Sequence, residues 1–191
     1  MPADARVYDS ERLARCHAQT RPPAHQALCA RRYAAAMSST LPVTLRPLRP
    51  EDQAQWRPLW DGYNAFYGRQ GDTALPEAIT AATWQRFLDP AEPVHALVAQ
   101  QGGQLVALVH YLYHRSTTRL HDVCFLQDLF TAPSHRGQGI GRRLIEAVVD
   151  AARAAGSSRV YWQTHHTNVA GRALYDQVAT NAGFVIYGRE L

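Results

Sequence analysis

Between residues 137 and 141 the chain reads Gly-Gln-Gly-Ile-Gly, three glycines at alternate positions, with Arg136 ahead and Arg142 and Arg143 behind. The β-rich run RLHDVCFLQDLFTA precedes it. IGRRLIEAVVDAARAAG follows, with Ile140, Leu144, Val148 and Ala151 on one helical face and Gly156 as its stop. A strand that passes through bare backbone into a helix leaves N–H groups pointing outward, and the helix dipole favours an anion there. Glycine also lets phosphate oxygens approach without meeting a Cβ. The dinucleotide fingerprint would need glycine where Arg142 stands, and a P-loop would need lysine at that end. Spacing alone fits a plain tight turn as well.

The chain supplies no lysine anywhere: all 20 basic residues are arginine. That excludes a catalytic lysine and a Schiff base. The formal charge is +4, but residues 1–36 hold six arginines against three acids, so the remainder is nearly neutral and a nucleic-acid footprint is not supported. Cys16, Cys29 and Cys124 are odd in number and widely spaced, which argues for a reducing, cytoplasmic setting and against a disulfide framework or a zinc site. His110, His114 and His121 lack the carboxylate spacing of a metal centre, so no metal is expected. No apolar run is long enough to span a bilayer, so no membrane partner is expected either.

Along the chain, residues 1–36 show no sustained apolar period and contain Pro22-Pro23. They read as a disordered extension or as the product of a misplaced start, with Met37 opening a single domain over 37–191. VTLRPL, from Val43, reads as a strand. Trp56, Trp60, Tyr63 and Tyr67 form the stripe of a helix that Pro58 should kink or shift. A second helix is expected over residues 76–88, with Ile79, Thr83, Phe87 and Leu88 inward. VHALVAQ and QLVALVHYLYH make a hairpin through QGG. RVYWQT reads as a strand, NVAGRALYDQVATNA as a helix and GFVIYG as a last strand. The order β-α-α-β-β-β-α-β-α-β is a mixed α/β or α+β domain.

The segment LQDLFTAPSHRGQGIGRRLIEAV resembles the acetyl-CoA loop of the GNAT superfamily of N-acetyltransferases, with Arg136, Gly139 and Gly141 at its motif positions. Downstream, Asn168, Ala173, Leu174, Tyr175, Gly183 and Phe184 match the family's second pattern, and the resemblance spans about residues 42–190. The wording is similar to the branch of yeast histone, polyamine and amino-acid acetyltransferases and bacterial relatives. It implies a mostly antiparallel sheet flanked by helices, with two central strands splayed apart, and acetyl-CoA as co-substrate. Arg136, Gly137, Gln138, Gly139, Ile140, Gly141 and Arg142 would cradle the pyrophosphate. Leu129, Phe130, Thr131 and Asn168 would meet the pantetheine arm.

Amine acetylation needs a neutral nitrogen near a thioester, a donor for the oxyanion and a proton for the thiolate. The resemblance gives Tyr175 the last task. Polyamine-acetylating relatives place a glutamate where this chain has Gln127, which cannot take a proton. Asp128 remains a candidate base, although strand alternation aims it at the opposite face unless a bulge intervenes. His121, His165 or a water chain are substitutes, and Cys124 is a weaker candidate as a nucleophile. Trp60, Asp61, Tyr63 and Tyr67 are expected at the acceptor pocket. The expected partner is a small-molecule primary amine, an amino acid or amine metabolite. The rivals are a polyamine or protein tail, or a non-catalytic coenzyme A sensor. A homodimer is also expected.

Overall fold

The computed structural model describes residues 41–191. The extension expected over residues 1–36 lies outside the described residues. Five strands stand in the order β1-β2-β3-β4-β5: β1 (Val43–Pro47), β2 (Val94–Gln101), β3 (Gln104–His114), β4 (Val123–Thr131) and β5 (Val160–Tyr161). All neighbours are antiparallel except β4 and β5. Gly102 and Gly103, both at positive φ, turn β2 into β3. Two residues in that region suit the twist of a tight hairpin.

Helices α1 (Gln53–Phe66) and α2 (Glu77–Leu88) cover one face; α3 (Ile140–Ala154) and α4 (Val169–Val178) belong to the other. Leu105 to Tyr111 of β3 lie buried between the layers, which is why that strand is a nearly continuous apolar run. On the first face Trp56 stacks on Trp60 at 5.7 Å and against Trp84 at 5.0 Å. Gly62 lets α1 press onto β4, since a Cβ there would lie 2.7 Å from the Phe130 ring. On the second face Ile140, Leu144, Ile145 and Val148 bury the stripe of α3. No helix among the described residues is long and apolar enough to cross a membrane.

Four expectations need correction. The helix α1 runs through Pro58 rather than starting at it, because its first turn is already nucleated by the 3-10 turn Pro50–Asp52. In α2 Phe87 and Leu88 pack against the core as expected, but Thr80 and Trp84 are the buried residues and Ile79 is exposed: the tryptophan needs the deepest position, and it rotates the helix accordingly. The segment GFVIYG is not a strand, since nothing among the described residues pairs with it, and RVYWQT keeps strand structure only at Val160–Tyr161.

Candidate active site

The ladder between β4 and β5 stops at Cys124↔Val160 and Phe125↔Tyr161. Beyond that point the two chains part, so residues 126–131 of β4 keep a bare edge on the β5 side. A cleft of about 550 Å³ opens in this notch. Leu126, Gln127, Leu129, Phe130 and Thr131 form one wall, Trp162 and Gln163 the other.

The glycine loop closes one end of the cleft. Gly137 and Gly139 take φ of 76° and 74°, and Gly139 caps α3 in the left-handed region. The N–H of Arg143 reaches the carbonyl of Gly139 at 3.1 Å, so the amides of Ile140, Gly141 and Arg142 precede the first internal bond of the helix. A Cβ at Gly141 would sit 3.4 Å from Leu174, narrowing the cleft where α3 faces α4. Arg136 lies with its guanidinium 5.6 Å from the Phe130 ring centre and donates to the carbonyl of Thr131 at 3.1 Å. Arg142 bonds Gln177 across the mouth. Gln138 is exposed in the loop and does not line the cleft. Asn168 lines it while capping α4: its Oδ1 accepts from the Gly171 N–H at 3.0 Å, and its Nδ2 donates to Thr164 at 2.9 Å.

The other end is aromatic. Tyr63, Phe66 and Tyr67 of α1 and the following turn line it, with Tyr175 reaching in from α4. Tyr175 packs edge-on against Trp162 at 5.6 Å, and burial pushes its hydroxyl up to about 12. Arg69 donates to Asn64 Oδ1 at 2.7 Å, which holds its guanidinium 5.7 Å from the centres of both the Tyr63 and Tyr67 rings.

Under Tyr63 lies a buried polar chain. The register of β4 against β3 slips between His110↔Asp128 and Tyr111↔Leu126, leaving Gln127 bulged and exposed. Cys124 and Leu126 face α3, whereas Asp128 and Phe130 face α1, so the bulge turns Asp128 to the face that plain alternation denies it. There Asp128 Oδ2 meets His110 Nδ1 at 2.9 Å, and His110 Nε2 meets the Trp56 indole N–H at 3.0 Å. An indole can only donate, so Nε2 accepts and the ring proton sits on Nδ1, donating to the carboxylate. Tyr63 stands beside the same carboxylate, and burial is the first cause of its raised pKa, Asp128 the second. Asp128 is 5 % exposed and meets the cleft through Tyr63.

Other candidates lie elsewhere. Trp60 is a core residue whose indole donates to Thr80 at 3.2 Å, and Asp61, one helical step further round, is exposed and paired with Arg57 at 2.9 Å. Neither lines the cleft. Cys124 is fully buried against α3, and burial pushes its thiol up to about 11, which leaves no accessible nucleophile. His114 bonds Tyr161 at 2.7 Å and the Arg115 carbonyl, while His121 and His165 are exposed. The partnership of His110 with Asp128, the placement of Arg69, and Trp162 as a wall residue carry no local sequence signal, because each is made by chain brought in from elsewhere.

A notch in a sheet with helix-start amides at one end is what a thioester-bearing nucleotide requires, and the family model described as acetyltransferase (GNAT) family matches residues 56–179, spanning both walls and the loop. The chain belongs to the GNAT family. It is accordingly an acetyl-CoA-dependent N-acetyltransferase. This GNAT protein is 31% identical over 149 residues to the D-amino-acid N-acetyltransferase HPA3 of Saccharomyces cerevisiae, covering 77% of this chain and 90% of that one. It is likewise 31% identical to the uncharacterized N-acetyltransferase YhfO of Bacillus subtilis, over 147 residues, 76% of this chain and 95% of the relative. The fold is shared with the aminoglycoside N-acetyltransferase AAC(6')-Iy in complex with a bisubstrate analogue, with a TM-score of 0.67 at 18% identity over 78% of this chain and 99% of that one.

Proposed function

We propose that this GNAT protein moves an acetyl group from acetyl-CoA directly to the primary amine of a small amino acid. The observation that carries the acceptor is the pair of opposite charges at the aromatic end of the cleft. Arg69 lies over Tyr63 and Tyr67, and the buried Asp128 carboxylate stands behind Tyr63. A zwitterion offers a carboxylate to the first, and its amine to the Tyr63 hydroxyl in front of the second. A polycation would find little: Asp61 and Glu77, the acids at this end of α1 and α2, are both taken by Arg57. The yeast relative is a D-amino-acid N-acetyltransferase, which supports the same substrate class.

In this reading the first-turn amides of α3 and Arg136 hold the pyrophosphate, and the bare edge of β4 at Leu129, Phe130 and Thr131 holds the pantetheine arm, with Asn168 opposite. Acetyl-CoA brings an activated carbonyl; the chain positions the amine and moves protons. As the amine loses its proton to the Tyr63 oxygen, Tyr63 passes its own to Asp128. The burial and the neighbouring carboxylate that hold Tyr63 protonated make it a relay and not a store of charge. His110, fixed by Trp56, keeps the carboxylate aimed. Tyr175, kept protonated by burial, donates to the departing thiolate.

The test is thiol release from acetyl-CoA across amino acids of both hands, their decarboxylated amines, spermidine and a histone peptide. The amino acids should give the highest kcat/KM. Arg69→Ala should lower kcat/KM for them by roughly tenfold or more, the scale of a lost charged hydrogen bond, and leave the decarboxylated amines unchanged. Higher kcat/KM for spermidine or the peptide would overturn the reading, and no turnover with any amine would favour a coenzyme A sensor.

A further inference from the structure

Helix α1 and the turn after it carry a series of rings from the core to the mouth of the cleft. Trp56 stacks on Trp60 at 5.7 Å and Trp60 on Tyr63 at 5.6 Å, each pair 12° from parallel. Tyr63 meets Tyr67 at 5.2 Å, and Phe66 stands edge-on to Tyr67 at 5.0 Å. Trp56, Trp60 and Tyr63 are buried, whereas Phe66 is 52% exposed and lines the cleft. A phenyl half in water adds little to the fold, since a smaller or polar residue would end the helix as well. Its place in a concavity beside convergent polar groups suits a ligand contact instead.

Phe66 stands one ring away from the reacting groups. Tyr67 packs against Tyr63, and after burial it is the next cause of the raised Tyr175 pKa, so it lies between the two phenols that the chemistry uses. Arg69 holds its guanidinium 5.7 Å from the centre of the Tyr67 ring. Phe66 and Arg69 thus flank the same ring. An amino acid whose carboxylate meets Arg69 and whose amine meets Tyr63 has its side chain to place along Tyr67 toward Phe66. Charge is poorly served there. Arg57, the arginine of α1, is taken by Asp61 and Glu77, which leaves an acidic side chain no partner on that helix. A basic side chain meets the repulsion of Arg69 and finds those two acids neutralised. A methyl group would leave Phe66 in water, whereas a phenyl or branched chain would cover it.

We propose that Phe66 sets the specificity of the acceptor site, selecting amino acids with a large apolar side chain, aromatic ones first. The proposal rests on the functional reading above, in which Arg69 holds an amino-acid carboxylate.

The test measures kcat/KM with acetyl-CoA for phenylalanine, leucine, alanine, lysine and glutamate, each in both hands. In the preferred hand phenylalanine should exceed alanine by roughly tenfold or more, the scale of one stacked ring and its covered area, with leucine between them. Phe66→Ala should bring the phenylalanine-to-alanine ratio close to one, and Phe66→Leu should restore part of it. The ratio does not depend on how much of a variant is folded, and the parent's own ratio decides if a variant yields no folded protein. Alanine equal to phenylalanine in the parent, lysine or glutamate faster than phenylalanine, or an unchanged ratio in Phe66→Ala would each overturn the proposal and leave an amino-acid acetyltransferase standing. Turnover of no amino acid would overturn the acceptor reading itself and this proposal with it.

Discussion

At the scale of single residues, Tyr175 shows how packing alters a role read from a motif. A free phenol titrates near 10 and a thiol near 8.5, so proton donation looks nearly balanced. In the fold, burial takes Tyr175 to about 12, which makes full transfer harder unless the thiolate is desolvated alongside it. The hydroxyl then works mainly as a hydrogen-bond donor that stays protonated throughout the neutral range. Tyr175→Phe should therefore lower kcat by about 10²-fold while leaving coenzyme A affinity intact. The deficit should be the same from pH 6 to 9, because no group with a pKa in that range has been removed. A deficit confined to one limb of the pH profile would show that Tyr175 titrates during turnover.

Among the elements, β4 and the start of α1 are set by polar contacts. The one-residue bulge at Gln127 inverts the alternation of β4: Cys124 and Leu126 face α3 before it, whereas after it Leu129 takes that side and Phe130 faces α1. At the head of α1, Asp52 takes both guanidinium nitrogens of Arg46, at 2.6 and 2.8 Å, and the N–H of Arg49 at 2.9 Å. This ties β1 to α1 at a buried point; Asp52 is 3% exposed. Asp52→Ala should cost about 3 kcal/mol, since it strands the Arg46 charge. The hydrogen bond from Arg46 is the first cause of the lowered pKa of Asp52. A depressed carboxylate contributes stability that is present above its unfolded value near 3.9 and lost as pH falls through the lower, folded value. The stability gap between parent and variant, measured by urea unfolding, should thus be constant from pH 7 to 5 and shrink below about pH 4. The raised pKa of Arg46 adds nothing to this window, because its stabilisation disappears only in strong alkali.

For the whole molecule, the sheet parts between β4 and β5, so a ligand held in that notch would link binding to folding. Coenzyme A bound to the folded state alone, at a hundredfold excess over its Kd, should add about 2.7 kcal/mol of stability, seen as a rise in Tm. Gly139→Asp puts a side chain at φ 74° and a negative charge beside the amides that would meet phosphate. It should lower the ligand-free Tm and abolish the ligand-induced rise. The rise is the decisive readout, since strain alone would leave it in place. A parent without a rise would contradict the assignment of the loop.

Residues 137–141 and the stripe of α3 could be read directly, because positive φ and a 3.6-residue period are properties of a few neighbouring residues. The same holds for the Gly102-Gly103 hairpin and for Tyr63 and Tyr67, which fall on one stripe of the first helical pattern. The side to which Asp128 points was open in the sequence, since one bulged residue inverts a strand and only the pairing with β3 places it. The core position of Trp60 and the outward position of Ile79 were hidden for a related reason: their helices rotate to bury tryptophans contributed by two segments at once. The strand composition of GFVIYG was legible, but a strand exists only beside a partner, and the tertiary structure offers it none among the described residues.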